Sequence, residues 1–158
     1  SERTQGSATT MHVLFVHQNF PAQFGQIANH LVQTLGWRCT FASRHEGEIE
    51  GINRVIYEPK SGARQETNFC SRTFENQVWH STALFDALRD RPDVKPDLIV
   101  GHSGMVSTLY LRELYDVPMI NYFEFFYRTH NSDIDFRVDL CQSRDGVDAR
   151  IRSFHEDC

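Results

Sequence analysis

Residues 11–36 narrow the folds open to this chain more than any other stretch. MHVLFVH (11–17) is an unbroken run of mostly β-branched and aromatic residues. A strand with one wet face alternates polar and apolar residues. Continuous apolarity is the habit of a strand covered on both faces, as in a parallel sheet. Directly after it, Phe24, Ile27, Ala28, Leu31 and Leu35 recur at the spacing of one helical stripe. Pro21 suits a first helical position behind Asn19 or Phe20, and Gly36 suits the residue that stops the helix. The segment therefore predicts strand, short loop, helix and glycine stop.

The alternation continues downstream. Further strands are predicted at 37–43, 52–57, 98–101 and 118–122, with loops at 44–51 and 58–68. Phe74, Val78, Ser81, Phe85 and Leu88 predict a long helix between Phe69 and Arg91, which Pro92 and Pro96 end. Ser103 is placed to cap a helix reaching about Tyr115. A weaker stripe runs through Val147, Ile151 and Phe154. Strands alternating with helices predict an α/β fold: a doubly wound, mainly parallel sheet with helices on both faces. Residues 1–10 read as a disordered leader or tag, and 11–158 as one domain. The final stripe carries neither glycine nor proline at its end, so a further strand is expected to follow in a longer protein.

Composition sets the remaining bounds. A chain of 158 residues buries enough surface for a core without a disulfide or metal staple. The formal net charge of −5 disfavours a duplex nucleic-acid binder, which needs a basic face. No apolar run reaches the roughly 18 residues of a membrane span, and SERTQGSATT lacks the apolar core of a secretion signal. Cys39, Cys70, Cys141 and Cys158 form no C-x-x-C pair, so reduced thiols and a cytoplasmic location are expected.

Ligands of open α/β sheets bind at the carboxyl ends of the strands, which singles out 17–20, 43–51, 101–104 and 122–128. His17-Gln18-Asn19-Phe20 follows the first strand without the G-x-G-x-x-G of a dinucleotide site. Its imidazole and amide groups beside a helix N-terminus suit an anion such as phosphate, or else simply hold the loop. Gly101-His102-Ser103-Gly104-Met105 follows the fourth strand but departs from the G-x-S-x-G of a nucleophile elbow. A serine hydrolase would use Ser103 with Asp116 and His130 or His155. His102 facing the cleft is the better reading. In Asn121-Tyr122-Phe123-Glu124-Phe125-Phe126-Tyr127-Arg128 most of the aromatics are expected to pack. Glu124 offers acid/base chemistry, and Tyr127 and Arg128 offer a flat ring and donors for a sugar or polyol. His12 and His17 fall on opposite faces of one strand, and His30, His45 and His80 stand apart, so no metal site is expected. The acidic tail His155-Glu156-Asp157-Cys158 reads as a solvated helix end.

HVLFVHQNFPAQF (12–24), DLIVGHSG (97–104) and PMINYFEFFYR (118–128) together resemble the N-terminal domain of a bacterial glycosyltransferase family 4 group. The resemblance covers roughly residues 11–155. It implies the N-terminal, Rossmann-like half of the two-domain GT-B architecture. It further implies retaining transfer from a nucleotide-sugar donor to a saccharide or other hydroxyl acceptor, with no metal and no cofactor. The N-terminal domain would shape the acceptor side. The donor would be held by a C-terminal domain with an E-x7-E glutamate pair, which this chain lacks, so the chain alone is expected to be inactive. His102 matches the family histidine near the transferred sugar. His17, Gln18, Asn19, Phe20, Ser103, Gly104, Tyr127 and Arg128 are the expected substrate contacts, with His102 and Glu124 as the catalytic pair. Where relatives carry a Gly-Gly pair in the first loop, this sequence has Gln18-Asn19-Phe20-Pro21. No nucleic-acid partner is implied, and membrane contact only peripherally in the full-length enzyme. A non-catalytic α/β ligand-binding module is the other alternative to the transferase.

Overall fold

β1 (His12–Val16) is buried along its whole length and lies at the centre of a five-stranded sheet. The computed structural model describes residues 9–103 and 108–123. Beside β1 stand β2 (Arg38–Ser43) and β4 (Leu98–His102), then β3 (Ile52–Ile56) outside β2 and β5 (Met119–Tyr122) outside β4. The order is β3-β2-β1-β4-β5, and every pairing is parallel. The expected doubly wound α/β sheet is therefore present.

The period of two along β1 sorts its side chains between two cores. Val13 and Phe15 point to one face, where they pack with Phe24, Ala28, Cys39 and Phe41 under α1 (Gly25–Leu35). Leu14 and Val16 point to the other, with Val55, Leu84, Leu88 and Ile99 under α2 (Arg72–Arg89). Both faces being dry explains why β1 reads as an unbroken apolar run.

Three local expectations are corrected. First, α1 starts at Gly25, not at Pro21, because Ala22 sits in the left-handed region (φ 46°) and Pro21 packs against the first turn. A Cβ at Gly25 would lie 2.4 Å from Pro21 Cβ. Its stop is as expected, Gly36 at φ 65°. The buried stripe runs through Phe24 and Ala28, with Leu31 and Val32 half-buried; Ile27 and Leu35 are exposed. Second, α2 buries Ser81, Leu84 and Leu88, while Phe74 is exposed and Phe85 half-buried, because Leu84 and not Phe85 faces the sheet. Third, the described part of the stretch after Ser103 holds one turn of 3-10 helix, Leu111–Glu113, instead of a helix continuing to Tyr115. The stripe at 138–158, with Cys141 and Cys158, lies outside the described residues.

The β2–β3 connection is unusual. Parallel neighbours normally need a crossover of a dozen or more residues, generally a helix. Here residues 44–51 make the return as a bare loop across the α1 face, with Ile49 packed on the core beneath. Gly51 (φ 82°) passes so close to α1 that a Cβ there would meet Val32 at 2.7 Å. Arg54 secures the loop from β3. Its guanidinium lies 3.3 Å from the Phe20 ring centroid and donates to the carbonyls of His45 (2.9 Å) and Gly47 and to Ser43 Oγ (2.5 Å).

Candidate functional site

With all strands parallel, the ends of β1, β2, β4 and β5 fall on one edge of the sheet. The sequence at those ends places two histidines side by side. His17 directly follows β1 and His102 closes β4; each is only 2% exposed. Their ring centroids are 5.0 Å apart with the planes near perpendicular. Phe24 packs 6.0 Å from His17, and Tyr122 lies 5.4 Å from His102. The pair exists because β1 and β4 are hydrogen-bonded neighbours although far apart in the chain.

Hydrogen bonds to the main chain fix the orientation of both rings. The Asn19 main-chain N–H donates to His17 Nδ1 at 2.8 Å. The Asn19 carbonyl oxygen lies 3.2 Å from the same nitrogen, so both polar groups of the Asn19 main chain meet this ring edge. The His102 Nδ1–H donates to the Ser103 carbonyl at 2.8 Å. Both rings are thus held through Nδ1 by the main chain that directly follows their strands. Gln18 and Asn19 line the same edge, half-buried and exposed respectively. The Gln18 carbonyl accepts from Arg44 N–H at 3.0 Å, which ties the first loop to β2.

The other expected site residues separate into groups. Phe20 lies edge-on to Phe41 (4.9 Å) and under Arg54, so its ring also holds the loop. The Ser103 amide N–H donates to the Tyr122 carbonyl, continuing the β4–β5 pairing. Asp116, the proposed triad partner of Ser103, precedes β5 and so lies at the opposite edge of the sheet from Ser103. Those two residues cannot share a catalytic site. Asn19 does not cap α1, since Phe24 occupies that position without a side-chain cap and Pro21 covers the first turn. Gly104, Glu124, Tyr127, Arg128, His130 and His155 lie outside the described residues.

Sequence reasoning missed a second group at the same edge. Arg44, Glu58, Tyr57 and His80 converge where β2 and β3 end over α2. Arg44 and Glu58 form an ion pair at 2.7 Å, and the Tyr57 and His80 rings stand 6.2 Å apart. Burial pushes the Tyr57 phenol well above its usual range and lowers the His80 pKa. The signal available was that 57–58 directly follows a strand, the same rule that selected 43–51. Among the described residues no three His, Cys, Asp or Glu side chains gather as a metal site. Among them, too, no helix is long and apolar enough to cross a membrane.

The comparisons with known proteins bear on the family and the fold. The family model described as the glycosyl transferase family 4 group matches residues 35–156. That match begins after the first motif of the resemblance (12–24) and contains the other two. Among solved structures, CalG4, the calicheamicin glycosyltransferase, is similar with a TM-score of 0.52 and 20% identity over 94% of this chain. The glycosyltransferase of kitacinnamycin gives a TM-score of 0.52 and 15% identity over 90% of this chain. At such identities the likeness concerns the fold. The chain spans 39% and 38% of the length of those two proteins. No curated protein matches it in sequence.

Proposed function

The chain belongs to the glycosyl transferase family 4 group, and on that premise we propose that it is the N-terminal, mainly acceptor-side half of a GT-B enzyme. The enzyme transfers a sugar from a nucleotide-sugar donor to a hydroxyl acceptor with retention of configuration. The observation that carries this reading is the His17–His102 pair at the carboxyl edge of the parallel sheet. Retaining transfer passes through an oxocarbenium-like state while negative charge grows on the leaving phosphate. Preorganised dipoles at a dry sheet edge stabilise such charge better than water does, because they need no reorientation. In this scheme the His102 imidazole hydrogen-bonds a sugar hydroxyl, and the His17 ring packed 5.0 Å from it holds it in place. The donor nucleotide is bound by a second domain, no metal or cofactor takes part, and the half-domain alone does not turn over.

The test is nucleotide-sugar turnover by the intact enzyme carrying His102→Ala or His102→Gln. Loss of one preorganised polar group costs about 10²–10³ in rate. A fall of that size in His102→Ala, with the thermal midpoint of His102→Gln close to wild type, is expected. Wild-type turnover in both variants would reject the role.

A further inference from the structure

We propose that His12 is a proton-sensitive latch: the neutral imidazole ties the connection between α2 and β4 (90–97) to the amino edge of the sheet, and protonation of the ring releases it. This edge is the one opposite the His17–His102 pair. His12 on β1, Thr40 on β2 and Asn53 on β3 share the α2 face there, by the register of the three strands. His12 is buried, and Thr40 is fully so.

One chain of hydrogen bonds runs through the three side chains. Arg91, in the connection, donates to Asn53 Oδ1 at 3.0 Å, and Asn53 Nδ2 donates to Thr40 Oγ1 at 3.2 Å. His12 Nε2 lies 2.8 Å from Thr40 Oγ1, and Nδ1 lies 3.0 Å from the Lys95 carbonyl, again in the connection. A guanidinium only donates and a carbonyl only accepts, so both ends of the chain are fixed. Nδ1 carries the hydrogen, and in the neutral ring Nε2 accepts from the Thr40 hydroxyl. Every link then donates in one direction, from Arg91 towards Lys95, and the connection is held at two points. A proton on Nε2 has no place in this chain. It would point at a hydroxyl that already accepts from Asn53, and the Thr40 hydrogen would lose its acceptor in a fully buried position. Asn53 cannot reverse, because Arg91 holds its oxygen.

The charges around the ring act in the same sense on balance. Burial opposes the imidazolium most and Arg38 on β2 adds to it; the Lys95 carbonyl, Asp97 and Asp93 favour the charge but do not prevail, so the ring titrates below its ordinary 6.5. The unfolded chain therefore binds this proton more readily than the folded one. The latch is complete above the unfolded value and is lost as pH falls through the folded one.

Hydrogen exchange at about pH 7.5 and about pH 5, corrected for intrinsic rates, and an NMR titration of the His12 ring test this in the 158-residue chain. The Val94 and Asp97 amides donate to the Arg91 and His12 carbonyls. At the lower pH they should lose protection about fivefold, the worth of one neutral hydrogen bond, relative to the Trp37 amide beside α1. His12→Asn keeps a donor for the Lys95 carbonyl and takes up no proton, so the acid effect should vanish. Thr40→Val removes the donor that holds the neutral ring, so the His12 titration should move up towards 6.5. A ring with a merely packing role would not show that shift, and this readout decides even where His12→Asn fails to fold. Exchange at Val94 and Asp97 that follows Trp37 at both pH values, an equal acid loss in folded His12→Asn, or a His12 titration unmoved by Thr40→Val would each overturn the latch.

Discussion

Arg54→Met should loosen the β2–β3 crossover without disturbing the rest of the sheet. The substitution keeps the apolar stem and removes the guanidinium. That group stacks 3.3 Å over the Phe20 centroid, and stacking of this kind contributes about 0.5–2 kcal/mol depending on desolvation. It also donates to the His45 and Gly47 carbonyls and to Ser43 Oγ. Hydrogen bonds to a charged group contribute about 1.5–3 kcal/mol each when buried. Here the acceptors lie at the surface end of the loop and water can replace part of the loss, so the expected total is about 2–4 kcal/mol. For a domain of this length each kcal/mol moves the melting temperature by about 2–4 °C, which gives a drop of roughly 5–15 °C. Calorimetry measures the drop. Hydrogen exchange locates it, with faster exchange expected at 44–51 and little change in β1 and β4. Arg54→Lys separates charge from geometry. An ammonium cannot reach several acceptors and stack at once, so most of the loss should remain. A melting temperature within about 1 °C of wild type, or exchange rising equally across the sheet, would refute the clamp.

Two other outcomes probe the cores and their pH dependence. Leu84→Ala, at a fully buried position, should cost about 2–5 kcal/mol in urea unfolding. Ile27→Ala, at a position 53% exposed, should cost no more than about 0.5 kcal/mol. Equal losses would mean that the helical stripes are assigned wrongly. The second outcome concerns Asp93, whose carboxyl accepts two hydrogen bonds from Arg91 at 2.9 Å and is thereby held down at about 2 against its usual 3.8. A depressed carboxylate stabilises the fold above its unfolded value and loses that contribution as pH falls through the folded one. The wild type should therefore lose stability relative to Asp93→Asn between about pH 4 and pH 2. Parallel acid-unfolding curves for the two proteins would contradict this.

The architecture was legible in the sequence wherever one residue pattern answered one physical demand. The unbroken apolarity of β1 meant two covered faces, and Gly36 meant a left-handed helix stop. The positions of His17 and His102 after strands marked them as facing one sheet edge. Other features depended on partners distant in the chain. Periodicity alone could not tell Leu84 from Phe85 as the residue facing the sheet, because both lie within one broad stripe and the tilt of α2 decides between them. Nor could it foresee that Pro21 would pack on Gly25 and delay α1.

The sequence by itself determined the layers: strand, helix and strand in alternation, one parallel sheet, and a chemistry-bearing edge at the strand ends. Those follow from local propensity and the period of apolar residues, which are written along the chain. Tertiary structure alone decided which of those residues meet. It set His17 against His102 across the β1–β4 pairing and put Asp116 at the far edge from Ser103. It also stacked Arg54 on Phe20 and enclosed the Tyr57 ring beside His80. Such meetings depend on strand order and register, which no single segment encodes.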